Sequence, residues 1–168
     1  ADVFDRLIVS AMEQPQVFVH RDYHSRNLMI LPGHSPGILD FQDAVAGPAT
    51  YDLVSLLRDC YHRLPPAIVA SRVEAFRVRA IDAGILPHVE ADAFRRWFDW
   101  MGMQRHLKVA GIFSRLNLRD GKPRYLADIP LVVDYLKEVA DHYDEFTDFS
   151  NWLDERVLPL VAPLRSRP

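Results

Sequence analysis

One stretch constrains this chain more than any other: Val17-Phe-Val-His20-Arg-Asp22-Tyr-His24-Ser-Arg26-Asn27-Leu-Met-Ile30, followed by Gly37-Ile-Leu-Asp40-Phe41. Short apolar runs alternate here with turn formers and chemically active residues. The run at 17–19 reads as a buried strand delivering His20 and Asp22, and 28–31 as the strand that leaves the loop. Pro32-Gly-His-Ser-Pro-Gly37 carries turn chemistry, after which 38–39 returns as a strand ending at Asp40. Two strand ends and one loop would thus gather Asp22, Asn27 and Asp40. A hairpin whose polar residues merely cap turns is the plain alternative. It leaves unexplained why all three sit at the edges of apolar runs.

Phosphoryl transfer from ATP needs a carboxylate to accept the proton of an attacking hydroxyl, and oxygen ligands for magnesium. Asp22 can supply the first. Asn27 and Asp40 can supply the second, because Mg²⁺ takes hard oxygen ligands and fills its remaining positions with water and substrate phosphates. The pattern is that of the catalytic half of a phosphotransferase using ATP and Mg²⁺. His20 is expected to fix the loop through hydrogen bonds rather than to carry the transferred proton. A zinc site at His20 and His24 is not expected, since the loop is not helical and no third soft ligand is near.

These residues and their spacing resemble the aminoglycoside phosphotransferase family, which shares the protein-kinase-like fold. That family's loop typically reads His-Gly-Asp-x-x-x-x-Asn; Arg21 stands here where Gly is usual. Gly47-Pro48-Ala-Thr-Tyr51-Asp52-Leu-Val-Ser-Leu-Leu57 is similar to the family's Gly-Asp-Pro-x-Tyr-Asp-Leu-Ala element. The resemblance implies that Asp52 braces the catalytic loop from the start of a helix. Further runs, Asp40-Phe-Gln-Asp-Ala, Tyr51-Asp-Leu-Val-Ser-Leu-Leu-Arg-Asp59 and Gln104-Arg-His-Leu-Lys-Val-Ala-Gly-Ile-Phe-Ser-Arg-Leu116, are similar to bacterial anomeric kinases of N-acetylmuramate and N-acetylglucosamine. They imply an amino-sugar acceptor, in cell-wall sugar recycling.

For such an acceptor, Arg26, Arg58 and Arg105 are candidates for the lactyl carboxylate of N-acetylmuramate, which suits a guanidinium fork. Gln104 and His106 are candidates for a hydroxyl or amide. Trp97 and Trp100 could stack on a sugar, although tryptophans on a long helix more often pack a core. Two alternatives stay open: a kinase for another small alcohol, such as an aminoglycoside or choline, and a non-catalytic kinase-like binding module. Few clustered carboxylates occur over 97–115, which argues against a polycation; the intact Asp22, Asn27 and Asp40 argue against a module without catalysis.

A kinase of this type also needs an N-terminal lobe, with a strand lysine for the nucleotide phosphates and a helix glutamate to hold it. Ahead of His20 the sequence has neither lysine nor glycine, and 1–13 reads as one amphipathic helix with Phe4, Leu7, Ile8 and Ala11 on a face. The expectation is therefore a single C-terminal lobe over 1–168, predominantly α with a small β component, whose N-terminal partner lobe lies elsewhere in the same protein. Alone, the chain is not expected to turn over ATP.

Composition fits that picture. The 168 residues are 49% hydrophobic, enough for one substantial core, and a net charge of −3 offers no general attraction to nucleic acid or anionic membrane. Cys60 stands alone, which excludes an internal disulfide and accords with a cytoplasmic setting. No apolar run is long enough to span a bilayer. The remainder reads as helices over 51–60, 65–83, 90–116, 129–143 and 152–164, the last interrupted near Pro159. Gly102 and Gly111 are expected to allow close packing of the long helix.

Overall fold

The computed structural model describes residues 3–165. Helix α1 (Val3–Glu13) leads into β1 (Gln16–Val19), a loop over 20–27, β2 (Leu28–Met29), β3 (Gly37–Ile38) and β4 (Val45–Pro48). Helices α2 (Tyr51–Leu57), α3 (Pro66–Asp82), α4 (Ala91–Asp120) and α5 (Ile129–His142) follow, then short helices α6 (Thr147–Trp152) and α7 (Leu158–Val161). The chain is α+β and predominantly α, as read from the sequence. Residues 1 and 2 of the expected first helix lie outside the described residues. Among the described residues, no helix is long and apolar enough to cross a membrane.

The strands form two small antiparallel pairs. β1 pairs with β4, with Gln16 opposite Pro48 and Val19 opposite Val45. β2 pairs with β3, Leu28 opposite Ile38. The two hairpin-like pieces hold the loop between them against the helices.

Helix α4, with 30 residues and so about 45 Å long, is the axis of the fold. Its apolar residues are spread around the whole circumference, which marks a helix buried from several sides. Phe94, Phe98 and Met101 meet Val54 and Leu57 of α2 and Val69 and Val73 of α3. Trp100 and Met103 pack with Leu7 of α1, Leu136 of α5 and Phe146. Val109 and Phe113 pack with Cys60, Ile129 and Val133. Trp100 is thus core and Trp97 packs beside it, not on a sugar-binding surface.

Several boundaries differ from expectation for local reasons. α4 runs on to Asp120, where Gly121 takes the left-handed conformation (φ +61°) and Lys122 donates to the Leu116 carbonyl at 3.0 Å. α2 stops at Leu57, so Arg58, Asp59 and Cys60 leave the helix. Near Pro159 the chain makes a π-turn over Leu153–Val157, because proline has no N–H to continue the ladder. Gly102 does permit a close approach, with Arg58 Nη1 lying 3.2 Å from where a Cβ would stand, whereas Gly111 faces open space.

His106, also on α4, is completely buried and stacks on Tyr135 with ring centroids 4.7 Å apart. Its Nε2 donates to the Arg58 carbonyl at 3.0 Å. Burial pushes its pKa from 6.5 down to about 3; the Arg58 carbonyl bond opposes this and the charges of Arg105 and Arg58 add to it. The unfolded chain therefore protonates His106 at a pH where the folded protein does not. Stability is full above pH 6.5 and falls as pH drops below it, by up to about 1.4 kcal/mol per pH unit. Half-buried His24, also lowered by burial, adds with the same sign. Thermal melts should show a falling midpoint from pH 6.5 down to about 5.5, largely above the range where ordinary carboxylates protonate. His106→Gln, which does not titrate, should flatten that slope; an unchanged slope would exclude His106 as its source.

Candidate active site

The loop after β1 is held at both ends by buried or half-buried carboxylates. Asp52, in the first turn of α2, accepts the His20 N–H at 2.6 Å with one oxygen and the Arg21 N–H at 3.0 Å with the other. This pins a costly backbone: Arg21 has φ +77°, a left-handed conformation that a side chain disfavours by about 1–2 kcal/mol. At the other end Asp59, which is 2% exposed, accepts the Ser25 N–H at 3.0 Å and the Ser25 hydroxyl, and its second oxygen takes the Tyr61 N–H at 2.9 Å. Asp59 was not singled out from the sequence. It ends a run that carries the resemblance, but an acid directly after an apolar helix is ordinarily a solvated cap.

His20 is buried and bridges the loop to the next strand. Its Nδ1 accepts the Asp22 N–H at 3.3 Å and its Nε2 donates to the Leu39 carbonyl at 2.9 Å, which selects the neutral tautomer protonated at Nε2. Asn27 closes the circle. Its Nδ2 donates to the Asp22 carbonyl at 2.9 Å, and its own carbonyl accepts the Leu39 N–H at 3.0 Å. Asp40 follows at once, with φ +64° and its carboxylate accepting from the Gln42 amide. Asp22, Asn27 and Asp40 are thereby linked by single hydrogen bonds through the backbone.

Of all described residues other than glycine, only Arg21 and Asp40 have positive φ, and both lie in this loop cluster. Strain of this kind persists where the surroundings over-determine it. The donor set also suits magnesium. With Asn27 Nδ2 committed to Asp22, Oδ1 is the end left for a cation, and the Asp40 carboxylate, one residue beyond the Leu39 N–H that Asn27's carbonyl accepts, is exposed. Two protein oxygens, completed by phosphates and water, are what Mg²⁺ ordinarily takes. Among the described residues no group of three or more His, Cys, Asp or Glu forms a closed metal cage.

The sequence-derived acceptor residues divide. Arg58 turns inward to a buried ion pair with Asp99 (2.6 Å), whose other oxygen takes Arg95 at 3.0 Å and the Tyr143 hydroxyl at 2.9 Å. His106 is sealed in the core. The structure therefore leaves His106 no surface for a sugar and commits Arg58 to its buried ion pair. Arg26 lies over the Tyr61 ring, 3.4 Å from its centroid, at the edge of the loop. Gln104 and Arg105 line a cleft of about 360 Å³ together with Arg21, Tyr51 and Lys108, walled by β4.

The chain matches the phosphotransferase enzyme family (APH) over residues 1–85, half of its length and the part that holds the whole loop cluster. It belongs to that family. Among curated proteins, the chain is 50% identical over 154 residues to an N-acetylmuramate/N-acetylglucosamine kinase of Neisseria meningitidis, covering 91% of this chain and 46% of the relative. It is 48% identical over 149 residues to the protein of the same name in Pseudomonas putida, covering 89% and 44% respectively. A more distant one in Caulobacter vibrioides is 34% identical over 145 residues, covering 84% and 38%. The chain thus spans less than half the length of the curated relatives it matches.

Within the phosphotransferase pattern, the φ of Arg21 explains the glycine that the resemblance places there. A left-handed residue is needed between His20 and Asp22 for Asp52 to reach two consecutive amides. Here the two hydrogen bonds hold an arginine in that geometry, and its side chain is thereby turned to the Asp43 carbonyl (3.3 Å).

Proposed function

We propose that this chain is the C-terminal catalytic lobe, as one unit over 1–168, of a kinase that transfers the γ-phosphoryl group of ATP to the anomeric hydroxyl of N-acetylmuramate and N-acetylglucosamine. The nucleotide-binding lobe would come from a segment of the same protein outside this sequence. The observation that carries this reading is the near-50% identity, over nine-tenths of the chain, to proteins bearing that name. The hydrogen-bonded cluster of Asp22, Asn27 and Asp40 supports it.

In this reading Asp22 orients the sugar hydroxyl and takes its proton as the oxygen–phosphorus bond forms and the β–γ bridge of ATP breaks, releasing ADP. An anomeric hydroxyl is a hemiacetal, more acidic than an ordinary alcohol, so a carboxylate is base enough. Asn27 and Asp40 would hold Mg²⁺, which when bound offsets the charge on the phosphates. His20 and Asp52 keep Asp22 aimed without touching the reacting atoms, and Asp59 does the same from the far end. In this reading the reaction draws on cytoplasmic ATP and belongs to amino-sugar recycling.

The test is phosphorus NMR on the full-length protein with Mg-ATP and, separately, N-acetylmuramate, N-acetylglucosamine, an aminoglycoside and choline. The expected result is an anomeric sugar-phosphate resonance with the two amino sugars. Turnover with choline or the aminoglycoside alone would keep the phosphotransferase and discard the sugar.

A further inference from the structure

Buried cations in a folded chain are ordinarily paired, because an unpaired one forfeits hydration without compensation. Arg58 spends its charge on Asp99. Arg105 does not follow this pattern. It is 5% exposed, and among the described residues its Nε and Nη1, themselves shut off from solvent, have no hydrogen-bond partner. The acid in its neighbourhood, Asp59, has its oxygens committed to Ser25 and Tyr61. No salt bridge to a carboxylate neutralises this guanidinium among the described residues.

The space beside it is the cleft of about 360 Å³ between β4 and the middle of α4, a volume suited to one small ligand. Arg105, Lys108 and Arg21 all line it, and no carboxylate does. Lys108 is held at its side by the Tyr51 hydroxyl, 3.1 Å away. The cleft therefore attracts anions. It also lies against the catalytic loop: Arg21 directly precedes Asp22, and His24 feels the charges of both Asp22 and Arg105.

We propose that this cleft is an anion subsite in which Arg105, assisted by Lys108, grips the lactyl carboxylate of N-acetylmuramate and so separates that sugar from N-acetylglucosamine. The inference rests on the sugar-kinase reading above and adds to it the basis of acceptor discrimination. A carboxylate is a charge-assisted partner for the Arg105 guanidinium, which lines the cleft beside Lys108. N-acetylglucosamine, lacking the lactyl group, would leave that charge unpaired. Gln104, on the same turn of α4, lines the cleft and is placed for the neutral parts of either sugar. The phosphates of a nucleotide share the same anionic chemistry, and the experiment separates the two.

The experiment measures kcat/KM of the full-length protein for N-acetylmuramate, its methyl ester and N-acetylglucosamine, with KM for ATP recorded beside each. In the unmodified protein the methyl ester should behave as N-acetylglucosamine does. Arg105→Met should lower the N-acetylmuramate to N-acetylglucosamine ratio about tenfold or more, as expected for losing a charge-assisted pair. Lys108→Met, at an exposed position, should lower it severalfold, and it decides the matter if Arg105→Met does not fold. A ratio unmoved by Lys108→Met and by any folded Arg105→Met overturns the proposal. So does a raised KM for ATP with an unmoved ratio, which would assign the cleft to nucleotide phosphate. Turnover of neither sugar, with phosphate passing to another alcohol, removes the sugar reading and this subsite with it; both sugars turned over at an unmoved ratio removes the subsite alone.

Discussion

Asp22→Asn should lower kcat of the full-length protein by about 10²–10⁴-fold while leaving the loop's shape and the acceptor KM nearly unchanged. The loop is held by the backbone of this residue, not by its carboxylate. The Asp22 N–H donates to His20 Nδ1 and the Asp22 carbonyl accepts from Asn27 Nδ2. Asparagine keeps both bonds and nearly the same volume. It removes only the group that can take a proton, so the loss should fall on the chemical step. ADP release followed by a coupled assay, beside circular dichroism to verify the fold, reads this directly. A loss under about tenfold would remove Asp22 as the proton acceptor.

How much of this site was visible in the sequence follows from where its residues sit. Asp22, Asn27 and Asp40 stand at the ends of apolar runs, and strand ends are where a chain can deliver side chains to one place. That reasoning located the cluster without coordinates. β4 escaped it because Val45-Ala-Gly-Pro48 carries little strand signature and forms only by pairing with β1. Arg58 and His106 were misplaced for a different reason. Polar residues within a long helix are assigned to its outer face, but α4 is covered from several sides and has little outer face near its middle. Asp99, which neutralises Arg58, shows the same blind spot.

Asp59 and Asp52 make a complementary case. Both are acids beside the same helix, one in its first turn and one just past its end, and together they take three backbone amides and a hydroxyl of the loop. Asp52 alone is given a bracing role by the resemblance; Asp59 merely ends a run similar to the anomeric kinases. The loop is fixed at two points because one anchor would leave Asp22 free to rotate about the other. Three charge-assisted amide bonds and one hydroxyl bond, each contributing about 1.5–3 kcal/mol, comfortably offset the left-handed backbone at Arg21.

Asp40→Asn should abolish magnesium-dependent turnover, by about 10³-fold or more, with the fold retained. The structural half of this expectation rests on backbone geometry. Asp40 has φ +64°, and asparagine is among the few residues that accept this conformation about as readily as aspartate. Its amide oxygen can still accept the Gln42 bond. The Leu39 N–H to Asn27 and the Leu39 carbonyl to His20 are untouched, so the link between Asp40 and the loop persists. The electrostatic half is that an amide oxygen carries no formal charge, and Asn27 already contributes a neutral oxygen. The pair would then offer Mg²⁺ no negative ligand, and the phosphates alone would have to hold it. Raising Mg²⁺ should restore part of the activity in Asp40→Asn, since weakened binding is overcome by mass action. It should restore none in Asp22→Asn, where the missing function is a proton acceptor. Equal responses of the two variants to Mg²⁺ would break the assignment of separate roles to these carboxylates.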